Sequence, residues 1–267
     1  MTDPFSNPEI PLSERLFSDW GRDILVANGF LTRLPFRPVG GVAPGGLAQA
    51  SRAFPIIGLI VGLIAGAGLM ASAELDLHPL ACALIGLALA ALVTGGLHED
   101  GLADVADGFG GGQDRDAKLR IMRDSRIGAF GVLALIFSIG IRAAILGGLP
   151  GPGLAAASLV GAAILSRAVL PVFMHRTPLA RNDGLASEAG KPDLETAGIA
   201  LGLGAIGGIV FLGLGAGIIA AIAVLGAAVA VAWLAQRQIG GYTGDVLGAA
   251  QQTAETALLI VAGAMLS

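Results

Sequence analysis

Long uncharged stretches recur along the chain and alternate with segments in which charged residues concentrate. Four of these stretches carry at most one charged side chain each: residues 54–73, 79–97, 127–149 and 153–174. Each one approaches the ~20 residues that a helix needs to cross a lipid bilayer. The pattern therefore predicts membrane-spanning helices.

The longest uncharged run, residues 197–235, predicts two further spans. A straight helix over its 39 residues would be roughly 58 Å long, whereas the hydrocarbon core is about 30 Å thick. We expect the run to fold back at the glycine-rich stretch Gly213–Gly217. A last segment, 246–267, is apolar except for two glutamines and Glu255. The sequence thus predicts an all-α, polytopic membrane bundle of about seven transmembrane helices.

Composition supports a membrane protein and excludes several other classes. Of the 267 residues, 54% are hydrophobic and only 13% are charged, against about 25% charged in soluble domains. Such a chain is too apolar to be disordered. A net charge of −4 is too mild to indicate a nucleic-acid partner. The only cysteine, Cys82, excludes a disulfide framework, and we interpret it as a small core residue.

Basic residues predict the orientation of the bundle. Fourteen of the 16 lie before residue 54 or in the connections 98–126, 175–196 and 236–245. None lies in the intervening turns. Because cytoplasmic connections carry an excess of lysine and arginine, we predict that the N-terminus and these three connections are cytoplasmic.

The N-terminal segment, residues 1–53, contains a predicted amphipathic helix over residues 13–30, ahead of the transmembrane bundle of residues 54–267. Its apolar residues recur at helical spacing after a plausible N-cap, Ser13: Leu16, Phe17, Trp20 and Ile24. We expect this helix to lie on the cytoplasmic leaflet, with packing against the loops as the alternative.

Three aspartates directly after the second span suggest a metal site. Asp100, Asp104 and Asp107 are spaced four and three residues apart, so on a helix they share one face, within roughly a 60° arc. Like charges at this spacing destabilise a helix. A divalent cation would remove that penalty, and Mg²⁺ prefers hard oxygen ligands of this kind. The alternative is a solvated acidic loop.

Cationic side chains follow this acidic motif after a predicted turn at Gly110–Gly112. They are Lys118, Arg120, Arg123 and Arg126. Carboxylates for a metal followed closely by guanidinium groups suit a diphosphate, because arginine binds phosphate oxygens in a bidentate manner. Anchoring of the helix end to the cytoplasmic face explains some of them equally well.

Two later connections repeat this chemistry. Arg181 and Asp183 lie in one turn, and a glycine-rich turn that begins at Gly240 ends at Asp245.

Three charged residues lie within predicted spans. Glu255 is either functional or bonded to a neighbouring polar helix. We expect Arg142 and Arg167 to pair inside the bundle.

The motifs together resemble the cobalamin synthase family (adenosylcobinamide-GDP ribazoletransferase), in family order and from about residue 23 onward. The segments that carry the resemblance are Phe30–Pro35, His98–Gly112, Met122–Gly131, Ala180–Leu185 and Gly241–Ala249. One departure is Glu99, where the family pattern leads us to expect an apolar residue.

The resemblance implies the last joining step of adenosylcobalamin synthesis, in the bacterial inner membrane and with Mg²⁺. Adenosylcobinamide-GDP and α-ribazole, or its 5′-phosphate, would give adenosylcobalamin, or its phosphate, and GMP. Besides these substrates and the bilayer, the chain could bind further copies of itself or other proteins of the cobalamin pathway.

The resemblance also implies roles for individual residues. Mg²⁺ would be held by Asp100, Asp104 and Asp107, with Glu99 and Asp245 as further candidates. The substrates would contact Thr32, Arg33, Arg123, Arg126, Arg181 and Asp245. Arg123, Arg126 and Arg181 would stabilise phosphate charge during transfer. Asp183 or Asp104 would take the proton of the attacking hydroxyl.

Other classes fit the sequence less well. CDP-alcohol phosphotransferases place Ala-Arg where this chain has Ala103 and Asp104, and aspartate-rich prenyltransferases space their acids differently. A cation-coupled transporter would place its polar site near the membrane midplane. A scaffold would leave the aligned carboxylates without a role.

Overall fold

The computed structural model describes residues 12–38, 40, 42 and 45–267, with side chains from Asp19 onward. This part of the chain forms helices and no named strand, as the apolar runs predict. The α-helices, in chain order, are α1 (Leu12–Leu31), α2 (Gly46–Ala50), α3 (Phe54–Ala73), α4 (Pro79–Thr94), α5 (Leu97–Gly111), α6 (Arg115–Ile121), α7 (Ala129–Gly148), α8 (Pro152–Ala168), α9 (Leu170–Arg176), α10 (Leu185–Ala189), α11 (Leu194–Leu212), α12 (Leu214–Ile239) and α13 (Gly244–Leu266). A short 3₁₀ helix, Ser51–Ala53, joins α2 to α3.

Five stretches of the described chain are long and apolar enough to cross a membrane, so the protein is a multi-pass membrane protein. They are Gly46–Ala73, Ala129–Gly148, Pro152–Arg176, Leu194–Leu212 and Leu214–Ile239. Helices α4 and α5 qualify only as a pair bent by 92°, which raises the total to six. Helix α13 has 23 residues but is not among the qualifying stretches, so a count of seven stays a prediction.

Three predicted boundaries change in the structure. The helix predicted over residues 79–97 ends at Thr94, because Gly95 and Gly96 interrupt it. The fold-back of the longest run occurs at Gly213 alone (φ 79°), and α12 begins at the next residue. Likewise, Gly110 and Gly111 are the last residues of α5 rather than a turn.

Glycine residues let helices α3 and α8 approach each other closely in the core of the bundle. A Cβ atom added at Gly58 of α3 would lie 2.3 Å from the carbonyl oxygen of Ala163 in α8, and one at Gly62 would lie 2.7 Å from Val160 Cα. Cys82 is buried, as predicted.

Helix α13 also lies in the interior, although it contains Gln251, Gln252 and Glu255. Its Glu255 is 4% exposed and accepts a hydrogen bond from Arg142 Nη1 at 2.8 Å. Arg167 Nη1 lies 4.0 Å from the other carboxylate oxygen. The predicted pairing of both arginines inside the bundle is confirmed, and their common partner is Glu255.

The amphipathic helix predicted over residues 13–30 is α1. Because α1 begins at Leu12, Ser13 lies inside the helix rather than at its cap. The side chains of Leu16 and Phe17 lie outside the described residues. In the second half of α1, the apolar residues Val26, Ala27 and Leu31 are buried in the core that α2 and α3 share, so this part of the apolar face is covered by protein.

Candidate active site

The acidic motif lies on α5, which turns across the end of the bundle. Gly95 (φ 69°) and Gly96 (φ 72°) adopt the left-handed conformation that glycine favours, and they produce the 92° bend from α4. Helix α5 then packs against α7 and α13. A Cβ added at Gly101 would lie 2.7 Å from the carbonyl oxygen of Asp245, at the start of α13. The acidic motif therefore lies next to the first turn of α13.

The three aspartates of α5 share a helix face, as predicted, but differ in their surroundings. Asp100 is exposed, Asp104 is half-buried and Asp107 is buried. Burial, together with the negative charges of Asp100, Asp245 and Asp107, raises the pKa of Asp104 to about 7. Burial is the largest cause of this shift, and a bound cation would relieve the smaller part that comes from the neighbouring carboxylates.

Asp107 caps α7. Its Oδ2 accepts a hydrogen bond from the backbone N–H of Gly128 at 2.7 Å, and its Oδ1 accepts one from Gly131 at 2.9 Å. A Cβ added at either glycine would come within 2.4 Å of this carboxylate, so both positions need glycine. The observed contacts of Asp107 are therefore those of a capping residue, because both of its oxygens already serve the start of α7.

Glu99 also faces the protein rather than the cleft. Its Oε1 accepts a hydrogen bond from Gln252 Nε2 of α13 at 3.0 Å, and its Oε2 is buried without a partner among the described residues. The side chain therefore turns inward, whereas the neighbouring Asp100 lines an open cleft.

That cleft has a volume of about 600 Å³ and lies between the end of α1, the α4–α5 bend and the start of α7. It brings the predicted residues Thr32 and Arg33 beside Asp100. Thr32 Oγ1 donates to the backbone oxygen and Oδ1 of Asn28 at 3.0 and 2.9 Å, which fixes the turn after α1. Arg33 lies so close to Gly95 that an added Cβ there would be 2.2 Å from its Nε.

Arg37 lines the same cleft and was not among the predicted site residues. The signal that could have identified it is its position two residues after the Phe30–Pro35 motif. Arg37 also lines a second, mainly apolar cleft of about 600 Å³, between α1, α2 and α10. The two clefts share Arg37, Gly29 and Phe30 and are therefore adjacent.

Four of the predicted residues form a chain of ion pairs. Arg123 Nη2 donates to Asp183 Oδ2 at 2.6 Å. Arg181 Nε lies 3.5 Å from Asp183 Oδ1, and its Nη2 lies 4.0 Å from Asp245 Oδ2. These contacts join the α6–α7 connection, the turn after α9 and the start of α13. Asp183 is thus engaged by two arginines.

Arg126 stands apart from this chain. It is exposed, and its Nε and Nη2 donate to the carboxylate of Asp124 at 3.0 and 2.7 Å. These hydrogen bonds lower the pKa of Asp124 to about 2. Arg126 remains free to exchange this partner for a substrate phosphate, because both side chains are accessible to solvent.

A short parallel bridge holds two of the site connections together. The N–H of Ala180 donates to the carbonyl of Tyr242, and the N–H of Tyr242 donates to that of Pro178, both at 2.9 Å. Arg115 strengthens this junction, since its Nε donates to the carbonyl of Ile239 at 3.0 Å and its Nη2 donates to that of Ala180. Sequence reasoning missed this role of Arg115.

The acidic residues of the site could supply some, but not all, of the ligands of a Mg²⁺ ion. Among the described residues, no three His, Cys, Asp or Glu side chains converge as a ready-made metal site. Mg²⁺ usually binds through one or two carboxylates, together with water and substrate phosphates. Asp104 lies near enough to Asp100 and Asp245 for their charges to help raise its pKa, so one or two of these carboxylates could contribute ligands to such an ion.

Comparisons with known proteins agree on one family. A family model described as cobalamin-5-phosphate synthase matches residues 23–263. A protein of Mesorhizobium japonicum is 48% identical over 264 residues, which cover 97% of this chain and 98% of the relative. A protein of Bradyrhizobium diazoefficiens is 46% identical over 242 residues, which cover 91% and 93%. Both are named adenosylcobinamide-GDP ribazoletransferase. No solved structure shows significant similarity to the chain.

Proposed function

The chain belongs to the cobalamin-5-phosphate synthase family, a family of transferases of cobalamin synthesis, and from this membership and the α5 cleft we propose its reaction. It joins adenosylcobinamide-GDP to α-ribazole or to α-ribazole 5′-phosphate. A ribazole hydroxyl oxygen forms a bond to the phosphorus that carries cobinamide, while the bond from that phosphorus to the bridging oxygen of GMP breaks. GMP leaves with the electron pair, and the hydroxyl proton passes to a carboxylate of the cleft. The products are adenosylcobalamin, or its 5′-phosphate, and GMP.

The observation that carries this proposal is the meeting of separate motifs around one cleft. Thr32, Arg33 and Asp100 line a space of about 600 Å³, which is within the usual range of small-molecule sites. Guanidinium groups from three different segments surround α5, in keeping with a substrate that carries a diphosphate. Catalysis in such a site is mainly positioning and stabilisation of phosphate charge.

Mg²⁺ is part of the proposal. Asp100 and Asp104 would hold it together with Asp245, and the remaining ligands would be phosphate oxygens and water. When bound, the ion would neutralise charge on the diphosphate. The roles of this chain's own residues are to orient the diphosphate through Arg33 and Arg181 and to keep α5 in place.

The site is proposed to face the cytoplasm of a bacterium, at its inner membrane. The loops that form it contain almost all of the basic residues outside the spans, and such residues concentrate on the cytoplasmic side. GTP-derived and corrinoid substrates are cytoplasmic in this scheme, so an open cleft at that face would receive them directly.

The test is a turnover assay with the purified full-length protein in liposomes. It supplies adenosylcobinamide-GDP, each ribazole form in turn and Mg²⁺, and follows both GMP and the corrinoid product. We expect product that disappears with EDTA and falls at least about 100-fold in Asp100→Asn. Folded protein that makes no product with either ribazole form contradicts the proposal. Product formation that survives EDTA contradicts only its Mg²⁺ part.

A further inference from the structure

A continuous chain of buried hydrogen bonds runs from the acidic helix through the centre of the bundle. Gln252 Nε2 of α13 donates to Glu99 Oε1 at 3.0 Å and to Gln251 Oε1 at 2.9 Å. Gln251 Nε2 donates to Glu255 Oε2 at 2.6 Å. Glu255 Oε1 accepts from Arg142 Nη1 of α7 at 2.8 Å. We call these five residues the Glu99–Arg142 chain.

The Glu99–Arg142 chain is costly to bury and is closely fixed. Gln251, Gln252, Glu255 and Arg142 are each at most 4% exposed, and polar groups inside a membrane protein are expensive unless they are paired. The two amide donors of Gln252 are both used within the chain. Those of Gln251 are used by Glu255 and by Ser166 Oγ at 2.8 Å. With every amide proton engaged, neither glutamine can turn without losing a bond.

Helix α5 needs such an anchor because α4 does not orient it. Gly95 and Gly96 interrupt the helical hydrogen bonding between the two helices, so the rotation of α5 about its own axis depends on tertiary contacts. Successive residues of a helix point about 100° apart. Holding Glu99 against Gln252 therefore directs the next residue, Asp100, toward the cleft.

We infer that Glu99 is a positioning residue, which sets the rotation of α5 through the Glu99–Arg142 chain and does not bind Mg²⁺. This inference rests on the proposed function. Glu99 holds the first turn of α5 against α13. Asp107, nearer the other end of α5, holds it against the start of α7. The two carboxylates between them, Asp100 and Asp104, are thereby held at a defined orientation toward the diphosphate.

Two substitutions separate positioning from metal binding. Glu99→Gln keeps an oxygen that accepts from Gln252 but removes the charge, whereas Glu99→Leu removes both. We expect kcat of Glu99→Gln within about threefold of wild type, at an unchanged Mg²⁺ concentration for half-maximal activity. We expect Glu99→Leu to lose at least about tenfold in kcat, because small misplacements of reacting groups are costly. If Glu99→Gln is as impaired as Glu99→Leu and needs more Mg²⁺, Glu99 is a metal ligand and the inference is wrong.

A double variant separates positioning from stability alone. Glu99→Leu leaves one N–H of Gln252 without its acceptor. Glu99→Leu with Gln252→Leu removes both partners of that bond, which is often nearly neutral for stability, although Gln251 Oε1 also loses its donor. We expect this double variant to recover part of the unfolding midpoint that Glu99→Leu loses in detergent, while its kcat stays low. Recovery of kcat together with stability, or wild-type kcat in Glu99→Leu itself, overturns the inference.

The control variant is Ser158→Ala, which removes a buried hydroxyl that has no partner in the described part of the chain. We expect it to leave both kcat and the unfolding midpoint unchanged. Failure of the wild-type protein to turn over would count against the proposed function instead, so the two failures are distinguishable.

Discussion

Replacing Asp107 by alanine tests whether this residue serves α7 or a metal ion. The substitution removes two charge-assisted hydrogen bonds, to Gly128 at 2.7 Å and to Gly131 at 2.9 Å. Each such bond contributes about 1.5–3 kcal/mol, and the negative charge at the N-terminus of α7 adds about 0.5 kcal/mol. The freed N–H groups recover part of this by binding water. We therefore expect a loss of about 2–4 kcal/mol in the free energy of unfolding.

The assay is an SDS titration of the purified protein in detergent micelles, followed by far-ultraviolet circular dichroism. Asp107→Asn is expected to lose about half as much, because one amide oxygen can still accept one of the two N–H groups. Asp116→Ala is the matched control, since Asp116 is an exposed acid of α6, and such surface substitutions change stability by less than about 0.5 kcal/mol.

Activity measured at increasing Mg²⁺ concentrations, without SDS, distinguishes between the two roles of Asp107. If Asp107→Ala unfolds like the wild-type protein but requires much more Mg²⁺, Asp107 is a metal ligand and the capping argument is refuted. If stability falls while the Mg²⁺ concentration for half-maximal activity stays unchanged, the residue acts on α7.

Three further variants test other parts of the structure. Gly241→Ala places a Cβ 2.3 Å from the carbonyl oxygen of Pro178, so it should lower the thermal unfolding midpoint by the equivalent of about 1–3 kcal/mol. The control Gly244→Ala, whose Cβ meets no atom within 4 Å, should leave the midpoint unchanged. Because the pKa of Asp104 is raised to about 7, this carboxyl group is protonated below that pH, and Mg²⁺ must displace the proton. Apparent Mg²⁺ affinity, measured by activity, should therefore rise from pH 6 to pH 8. In Asp104→Asn this dependence of Mg²⁺ affinity on pH should be weaker. An equal dependence in the variant shows that Asp104 is not the group that titrates. Glu255→Gln leaves two buried arginines without a counter-charge and should cost about 3–5 kcal/mol in the SDS titration, whereas wild-type stability would show that the ion pairs contribute little.

The sequence alone was sufficient to predict the apolar helices of the bundle. Helices α3 and α7 lie where the uncharged stretches predicted them, within two residues at each end. Membrane-spanning helices must be apolar along most of their length, so charged residues and helix-breaking glycine or proline mark their ends. The helical face shared by Asp100 and Asp104 was likewise predictable, because it depends only on the spacing of residues within one helix.

The directions of the site side chains were not predictable from spacing. Glu99 and Asp107 lie on the same helix as the cleft aspartates, yet each is engaged by another helix. Their partners, Gln252 and Gly128, are 153 and 21 residues away along the chain, and no local pattern encodes such contacts. The bend at Gly95 and Gly96 determined which partners α5 could reach.

Helix α13, which does not qualify as a membrane-crossing stretch by hydropathy, is also the helix that holds α5. Helix α13 has the polar residues Gln251, Gln252 and Glu255 in its buried part, so a hydropathy pattern undervalues it. Its neighbours separate these residues from lipid and supply their hydrogen-bond partners, which removes the penalty that makes such residues rare in lipid-facing helices. The same polar residues hold α5, and the first turn of α13 places Asp245 beside α5 and 4.0 Å from Arg181. A weak transmembrane signal at the end of this chain is therefore the physical consequence of a helix that links the membrane core to the reacting groups.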